Sequence, residues 1–157
     1  MRKTLLGGML VGMLASGCAS VHNKELDGPV RIKPGFPEPT TKTQEIAAYL
    51  REHGQDGGRG AKCGALHTDA GSLSICYVDL NKPFDYSDDI FYFGFEKLDH
   101  ICIDVGLNDT LDDVVMDGTS TPIPVTATKL EFQAFVSHEY MTVIRKVYRE
   151  MKREGYL

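Results

Sequence analysis

Hydrophobic residues recur with helical spacing in two stretches of the chain. In the first stretch an apolar stripe runs from Ile46 to Leu50, at the spacing of one helix face. Thr41 stands three residues before a glutamine, which is the pattern of an N-terminal capping box. Gly54 lies where a helix would end. The pattern therefore predicts a helix near residues 42–53.

The second helical stretch lies at the C-terminal end of the chain. Its large apolar residues are Phe132, Phe135, Val136, Tyr140, Val143, Ile144, Val147, Tyr148 and Met151. Their intervals predict a long amphipathic helix near residues 129–154. Two starting points stay open. Thr128 and Glu131 have capping-box spacing, but residues 125–132 also alternate as a strand would, and Ser137 would then cap a later start.

Between these helices the apolar residues alternate with a period of two, which is typical of strands. Residues 61–80 predict a hairpin that turns at residues 68–71. Residues 90–95 and 100–105 predict two further strands, and their apolar content places them at the centre of the sheet. Residues 55–60 predict a flexible loop. Residues 108–118 predict a short helix, capped by Asn108, Asp109 or Thr110 and ended by Gly118.

Two helices that bracket a run of strands are typical of an α+β domain. We therefore expect one α+β domain over residues 42–157. Its antiparallel sheet would have about four strands, covered on one face by the N-terminal helix and the long C-terminal helix.

The first residues of the chain have the pattern of an export signal. A basic head, Arg2 and Lys3, precedes an apolar run from Thr4 to Leu14, and small residues then lead into Cys18. The run is shorter than the ~20 residues that a spanning helix needs. We interpret residues 1–17 as a signal peptide. In the simpler alternative the signal is an ordinary secretory one and Cys18 is incidental.

The sequence Leu14-Ala15-Ser16-Gly17-Cys18 resembles the lipobox of bacterial lipoproteins. The resemblance covers the leader alone, and it departs from the usual pattern by placing Ala15, rather than leucine, three residues before the cysteine. It implies that Cys18 is acylated and becomes the mature N-terminus. Ala19 follows Cys18, where an aspartate usually marks retention in the inner membrane. The resemblance therefore implies an outer-membrane lipoprotein on the periplasmic side.

The segment after Cys18 is rich in proline. Residues 18–41 carry four prolines and few large apolar side chains, which is typical of an extended tether. In the alternative interpretation Val30, Ile32 and Phe36 lie along the domain as an edge strand.

The charge of the chain limits the kind of partner. Its 157 residues carry a formal net charge of −5, so the chain lacks the basic surface that nucleic acid requires. Ten acidic residues and a single basic one, Lys97, lie between Asp85 and Asp117. We interpret this stretch as an electronegative face that attracts a basic partner protein. The candidate binding residues are Asp85, Asp88, Asp89, Asp109, Asp112 and Asp113.

Three cysteines follow Cys18, and an oxidising compartment would allow one disulfide and one free thiol. Cys63 and Cys76 lie about equally far from the hairpin turn on opposite arms, so a disulfide between them is the favoured pairing. Cys102 is the competing partner.

Candidate chemistry is sparse. His100, Cys102 and Asp104 share one strand face, but side chains two residues apart on a strand lie ~6.6 Å from each other. We therefore interpret them as a solvated face with a spare cysteine. No zinc or calcium motif and no cofactor motif is present.

The sequence thus favours a non-enzymatic binding module of the inhibitor, immunity or envelope-assembly type, held to the membrane by its N-terminal lipid. The alternative is a small envelope hydrolase that pairs Cys102 or Cys76 with His100 or His67.

Overall fold

The computed structural model describes residues 37–68, 71–80, 85–95 and 100–157. The leader, Cys18 and residues 19–36 of the predicted tether lie outside these ranges. Residues 69–70 of the predicted hairpin turn and residues 96–99, between two predicted strands, lie outside them as well. Side chains at 67, 68, 71 and 95 are not described either.

Among the described residues, two α-helices form as the apolar periodicity predicts. Helix α1 spans Lys42–His53, with the Thr41 side chain accepting a hydrogen bond from the backbone N–H of Gln44. Helix α2 spans Leu130–Arg153 and begins without a side-chain cap. A single 3₁₀ turn, Val125–Ala127, stands just before it. The earlier of the two predicted starts for the long helix is therefore the correct one.

Within the described ranges, seven strands lie between the helices. In chain order they are β1 Gln55–Gly58, β2 Ala61–Thr68, β3 Gly71–Val78, β4 Ile90–Phe95, β5 His100–Val105, β6 Asp113–Met116 and β7 Ile123–Pro124. All pairings are antiparallel and the spatial order is the chain order, from β1 to β7. The α+β class and the antiparallel sheet are thus confirmed. The four predicted strands are the four longest, while β1, β6 and β7 extend the sheet at its two sides.

Two local predictions were wrong, both at these sides. Residues 55–58 pair with β2 instead of forming a flexible loop. The predicted helix at 108–118 is instead a loop followed by β6, in which Val114 pairs with Cys102 and Val115 with Ile101. Adjacent valines suit a pleated, half-buried surface better than a helix. Residues 113–116 therefore form a strand, because pairing with the edge of β5 stabilises them more than the local helix cap would.

The main core lies between the sheet and both helices. Its buried side chains include Ile46 and Leu50 from α1, Tyr140 and Ile144 from α2, and Phe93 from the middle strand β4. The helices thus cover one sheet face, as the α+β prediction required.

A second cluster of buried apolar side chains lies on the opposite sheet face, and we call it the second-face cluster. Its members are Ala61, Cys63, Cys76, Val78, Ile90, Tyr92, Ile103 and Val115. Neither described helix is long and apolar enough to cross a membrane.

Candidate functional site

The sheet brings the six candidate aspartates to one of its ends. The chain leaves β3 and enters β4 at this end, and it leaves β5 and enters β6 there as well. The two connections are joined directly, since the Gly106 N–H donates to the Asp89 carbonyl at 2.8 Å. We call this region, loops 85–89 and 106–112 with Asp113, the acidic end. The clustering follows from antiparallel topology, in which alternate connections share one end of the sheet.

Asp89 is a structural residue of the acidic end. Its side chain is buried, and it accepts hydrogen bonds from the Tyr77 hydroxyl at 2.7 Å and from the Leu80 N–H at 3.1 Å. Burial raises the pKa of the Asp89 carboxyl, and these hydrogen bonds partly oppose that rise. These hydrogen bonds hold the backbone at the start of β4 in place. Because the Asp89 carboxylate is buried, it is not accessible to a partner protein.

Asp109 caps a helix that is distant in sequence. Its carboxylate accepts hydrogen bonds from the N–H groups of Lys42 and Thr43, at 3.2 and 2.9 Å, and from the Thr43 hydroxyl. Helix N-termini carry unpaired N–H groups and favour a negative charge. The sequence identified Asp109 as a possible cap, but of a local helix that does not form.

Asp112 also supports the backbone, because its carboxylate accepts a hydrogen bond from the Val105 N–H at 2.8 Å. Asp113 is half-buried on β6. The exposed members of the set are Asp85 and Asp88, in the loop before β4. Asp85 accepts hydrogen bonds from the Ser87 hydroxyl and N–H, which lower the pKa of its carboxyl. The accessible negative charge of this set is therefore concentrated on one short loop.

A buried tyrosine–aspartate pair stands behind the acidic end. Asp104, fully buried, accepts a hydrogen bond from the Tyr140 hydroxyl of α2 at 2.6 Å. It also accepts from the N–H groups of Asn108 and Asp109, at 3.1 and 3.0 Å. Burial raises the pKa of Asp104, while the hydrogen bonds from Tyr140 and Asn108 lower it. This arrangement ties β5, the following loop and α2 together.

Sequence reasoning missed this pair. The signal was present, because an aspartate at an inward position of an apolar strand needs a buried donor. The helical stripe of α2 contained such a donor in Tyr140.

His100, Cys102 and Asp104 do share one strand face, but that face is buried against α2. The prediction of a solvated face was wrong, since His100 is 7% exposed and the other two residues are fully buried. Helix α2 covers these residues because its apolar stripe packs against this face of the sheet. His100 Nε2 lies 2.9 Å from a carboxylate oxygen of Glu139. This ring nitrogen is therefore hydrogen-bonded to an acidic side chain of α2.

Neither candidate nucleophile, Cys102 or Cys76, is a reactive thiol in this structure. Burial, with a smaller contribution from Glu139, raises the pKa of the Cys102 thiol to about 12, whereas the thiolate is the reactive form of cysteine. Cys76 forms a disulfide with Cys63. The favoured pairing is thereby confirmed, and its cause is the hairpin register that places the two residues directly opposite each other.

The neighbouring strand is adapted to this disulfide. A Cβ atom at Gly57 would lie 2.7 Å from the Cys63 sulfur, which is closer than atoms pack. Glycine at this position lets β1 approach β2 beside the bridge. The loop-like composition of residues 55–60 therefore has a packing role.

Within the described ranges, no group of three or more histidine, cysteine or acidic side chains is placed to hold a metal ion. Comparisons of the chain with protein families, curated proteins and solved structures find no match.

Proposed function

We propose that this protein is a lipoprotein of the outer membrane, facing the periplasm, that binds a basic protein through its acidic end. The proposal has two parts, the location of the protein and its binding activity, and each can be tested separately.

The proposed location is supported by the leader and by the disulfide. Residues 1–17 have the order of an export signal and lead directly into Cys18. The Cys63–Cys76 disulfide fits an oxidising compartment, since thiols in the cytosol are kept reduced. Acylation at Cys18 with more than one chain would hold the protein firmly, because a single chain anchors only marginally.

Metabolic labelling with a clickable palmitate analogue tests the anchor. We expect the full chain to take up the label and to fractionate with the outer membrane, and Cys18→Ser to lose both properties. Cys102→Ser is the matched control and should label normally. Equal labelling of Cys18→Ser would refute acylation at Cys18.

The binding activity is supported by one observation, the exposed negative charge at Asp85 and Asp88 in the loop before β4. Complementary charge speeds the encounter of two proteins and selects between partners. Such a surface would suit an inhibitor, immunity or envelope-assembly role, and the identity of the partner would distinguish these roles.

Capture of partners from periplasmic extract, at low and at high salt, tests the acidic end. We expect a basic protein to bind the wild-type protein at low salt and to be lost at high salt, because salt screens exposed charges. Asp88→Lys should weaken capture. Asp117→Lys is a matched control, since Asp117 is exposed just after β6 ends, at the other end of the sheet. A partner retained at high salt, or lost equally in both variants, would contradict the proposal.

A further inference from the structure

The outer side of helix α2 carries exposed apolar side chains near its start. Leu130 is 78% exposed and Phe135 is 59% exposed, although the opposite side of the same helix is buried in the main core. Among the described residues, Leu80 is the one other large apolar side chain that is exposed. Two such side chains within the first two turns of one helix form an apolar surface, and surfaces of this kind contact proteins or membranes.

The same side of α2 is basic in its C-terminal half. Arg145, Lys146 and Arg149 are exposed there. At ~3.6 residues per turn, these bases share with Leu130 and Phe135 the half of the helix that faces away from the sheet. We call these five residues the outer face of α2. An apolar start is thus followed by three cations along one continuous surface.

Neither the helix dipole nor local ion pairing accounts for these three cations. The dipole favours basic residues within the last turn, which here supplies Lys152 and Arg153, and both of those form ion pairs. In the part of the chain that the structure describes, no ion pair involves the bases of the outer face. Arg145 and Arg149 stand four residues apart, a spacing at which like charges repel on a helix. An external anionic surface would offset this repulsion.

The arrangement of the outer face fits a membrane surface better than a compact site on one acidic protein. It extends from Leu130 to Arg149, about 28 Å along the helix axis. Helices that lie on membranes place Phe and Leu side chains at the boundary between headgroups and acyl chains, and their Lys and Arg side chains bind anionic lipids. The one exposed acidic side chain of α2, Glu131, lies at the apolar start and away from the cations.

We propose that the outer face of α2 lies on an anionic phospholipid bilayer, with its two apolar side chains at the headgroup boundary and its three cations against lipid phosphates. The inference rests on the proposed acyl anchor, which would hold the domain beside such a surface at a high local concentration. The contact orients the domain, because α2 then faces the membrane and the second sheet face points away from it. The acidic end, at one end of the sheet, stays open to its partner.

Because the chain contains no tryptophan, a single introduced tryptophan reports this contact. Phe135→Trp exchanges one exposed aromatic ring for another, and Asp117→Trp is the matched reporter in the exposed turn after β6. The full chain, purified from membranes in detergent, is reconstituted into vesicles of brominated phosphatidylcholine with or without phosphatidylglycerol. We expect the brominated lipid to quench Phe135→Trp several-fold more strongly than Asp117→Trp, and to do so only with phosphatidylglycerol at low salt.

A charge variant tests the role of the cations. Arg149→Gln, combined with Phe135→Trp, should lower the equilibrium constant for the contact about fivefold, because one basic side chain near an anionic surface contributes about that factor. The constant is obtained by titrating the quenching with salt. Arg59→Gln removes the same charge from the exposed turn between β1 and β2 and is the matched control. It should leave the quenching unchanged, and an equal loss in both variants would contradict the proposal.

Flotation of the same vesicles separates this proposal from the proposed anchor. Protein that floats while both reporters are quenched equally would overturn the contact and leave the anchor intact. Protein that does not float, yet is quenched at position 135 when vesicles are added, would overturn the anchor and support the contact; absence of both signals would overturn both. Equal quenching in neutral vesicles would also overturn the contact. Protection of this tryptophan by periplasmic extract instead of lipid would assign the outer face to an acidic protein.

Discussion

Replacing Tyr140 with phenylalanine isolates the buried hydrogen bond to Asp104. The tyrosine ring is fully buried and stacks on Phe93, with ring centroids 5.6 Å apart. Phenylalanine keeps this ring, so packing changes little. The hydroxyl that donates to Asp104 at 2.6 Å is lost. Asp104 then retains the backbone N–H groups of Asn108 and Asp109 as donors.

The expected cost follows from the charge on the acceptor. A hydrogen bond to a charged group contributes ~1.5–3 kcal/mol, so we expect the free energy of unfolding to fall by about 2 kcal/mol. For a domain of this size that corresponds to a Tm lower by roughly 8 °C.

The stability lost in Tyr140→Phe also depends on pH, because the hydrogen bond is made to a titratable carboxyl group. Burial holds the pKa of folded Asp104 above its unfolded value, so its contribution to stability is present at low pH and is lost as pH rises through the folded pKa. The hydrogen bond from Tyr140 lowers the folded pKa. Tyr140→Phe raises it further, and the variant therefore loses more stability at neutral pH than below the unfolded pKa of Asp104.

Urea unfolding followed by circular dichroism, below pH 4 and at neutral pH, measures this difference. Tyr148→Phe is the matched control, since the Tyr148 hydroxyl also donates to a carboxylate, that of Glu45, but on the half-exposed side of α2. We expect a change of less than about 1 kcal/mol there. An unchanged free energy of unfolding for Tyr140→Phe, or an equal loss at both pH values, would refute the reasoning.

Three further predictions concern α1 and the cysteines. Thr41→Ala should lower the free energy of unfolding, measured in urea, by ~1–2 kcal/mol, because it removes the helix cap and the hydrogen bond to the Leu107 carbonyl. Thr41→Ser keeps the hydroxyl and should retain most of the wild-type stability. Cys63→Ala with Cys76→Ala should cost about 3 kcal/mol by the same assay; unchanged stability would contradict the constraint. In a Cys18→Ser background, Cys102 should react with a maleimide only after unfolding; rapid native labelling would contradict its burial.

Much of the fold was predictable because long elements carry their own periodicity. Helix α2 spans 24 residues, so its apolar stripe repeats often enough to define both type and face. Strands β2 to β5 are six to eight residues long and show alternation clearly. Strands of two or four residues, such as β6 and β7, are too short for a period to appear. Their conformation depends on the neighbouring edge.

The candidate site was predicted less well, for a reason visible in its aspartates. Sequence reveals that carboxylates are close along the chain, but it does not reveal which backbone N–H groups will need an acceptor. Asp109 was identified as a cap, yet the helix it serves begins 67 residues earlier, at Lys42. Asp89 belonged to a run of acids that looked solvated, and Tyr77 draws it inward. Of the six candidate aspartates, only Asp85 and Asp88 are exposed, as the charge pattern suggested.

The strand order has a consequence for how the protein folds. Each strand pairs with its predecessor in the chain, so sheet growth requires only short loop closures, which favour rapid folding. A chain that emerges N-terminus first can extend its sheet one strand at a time. In such a chain α2 is synthesised last of the described elements, since it follows the seven described strands. Until then Asp104 has no phenol to bind, and the part of the sheet that α2 covers stays open. Apolar surface exposed in this way favours aggregation until α2 has been synthesised.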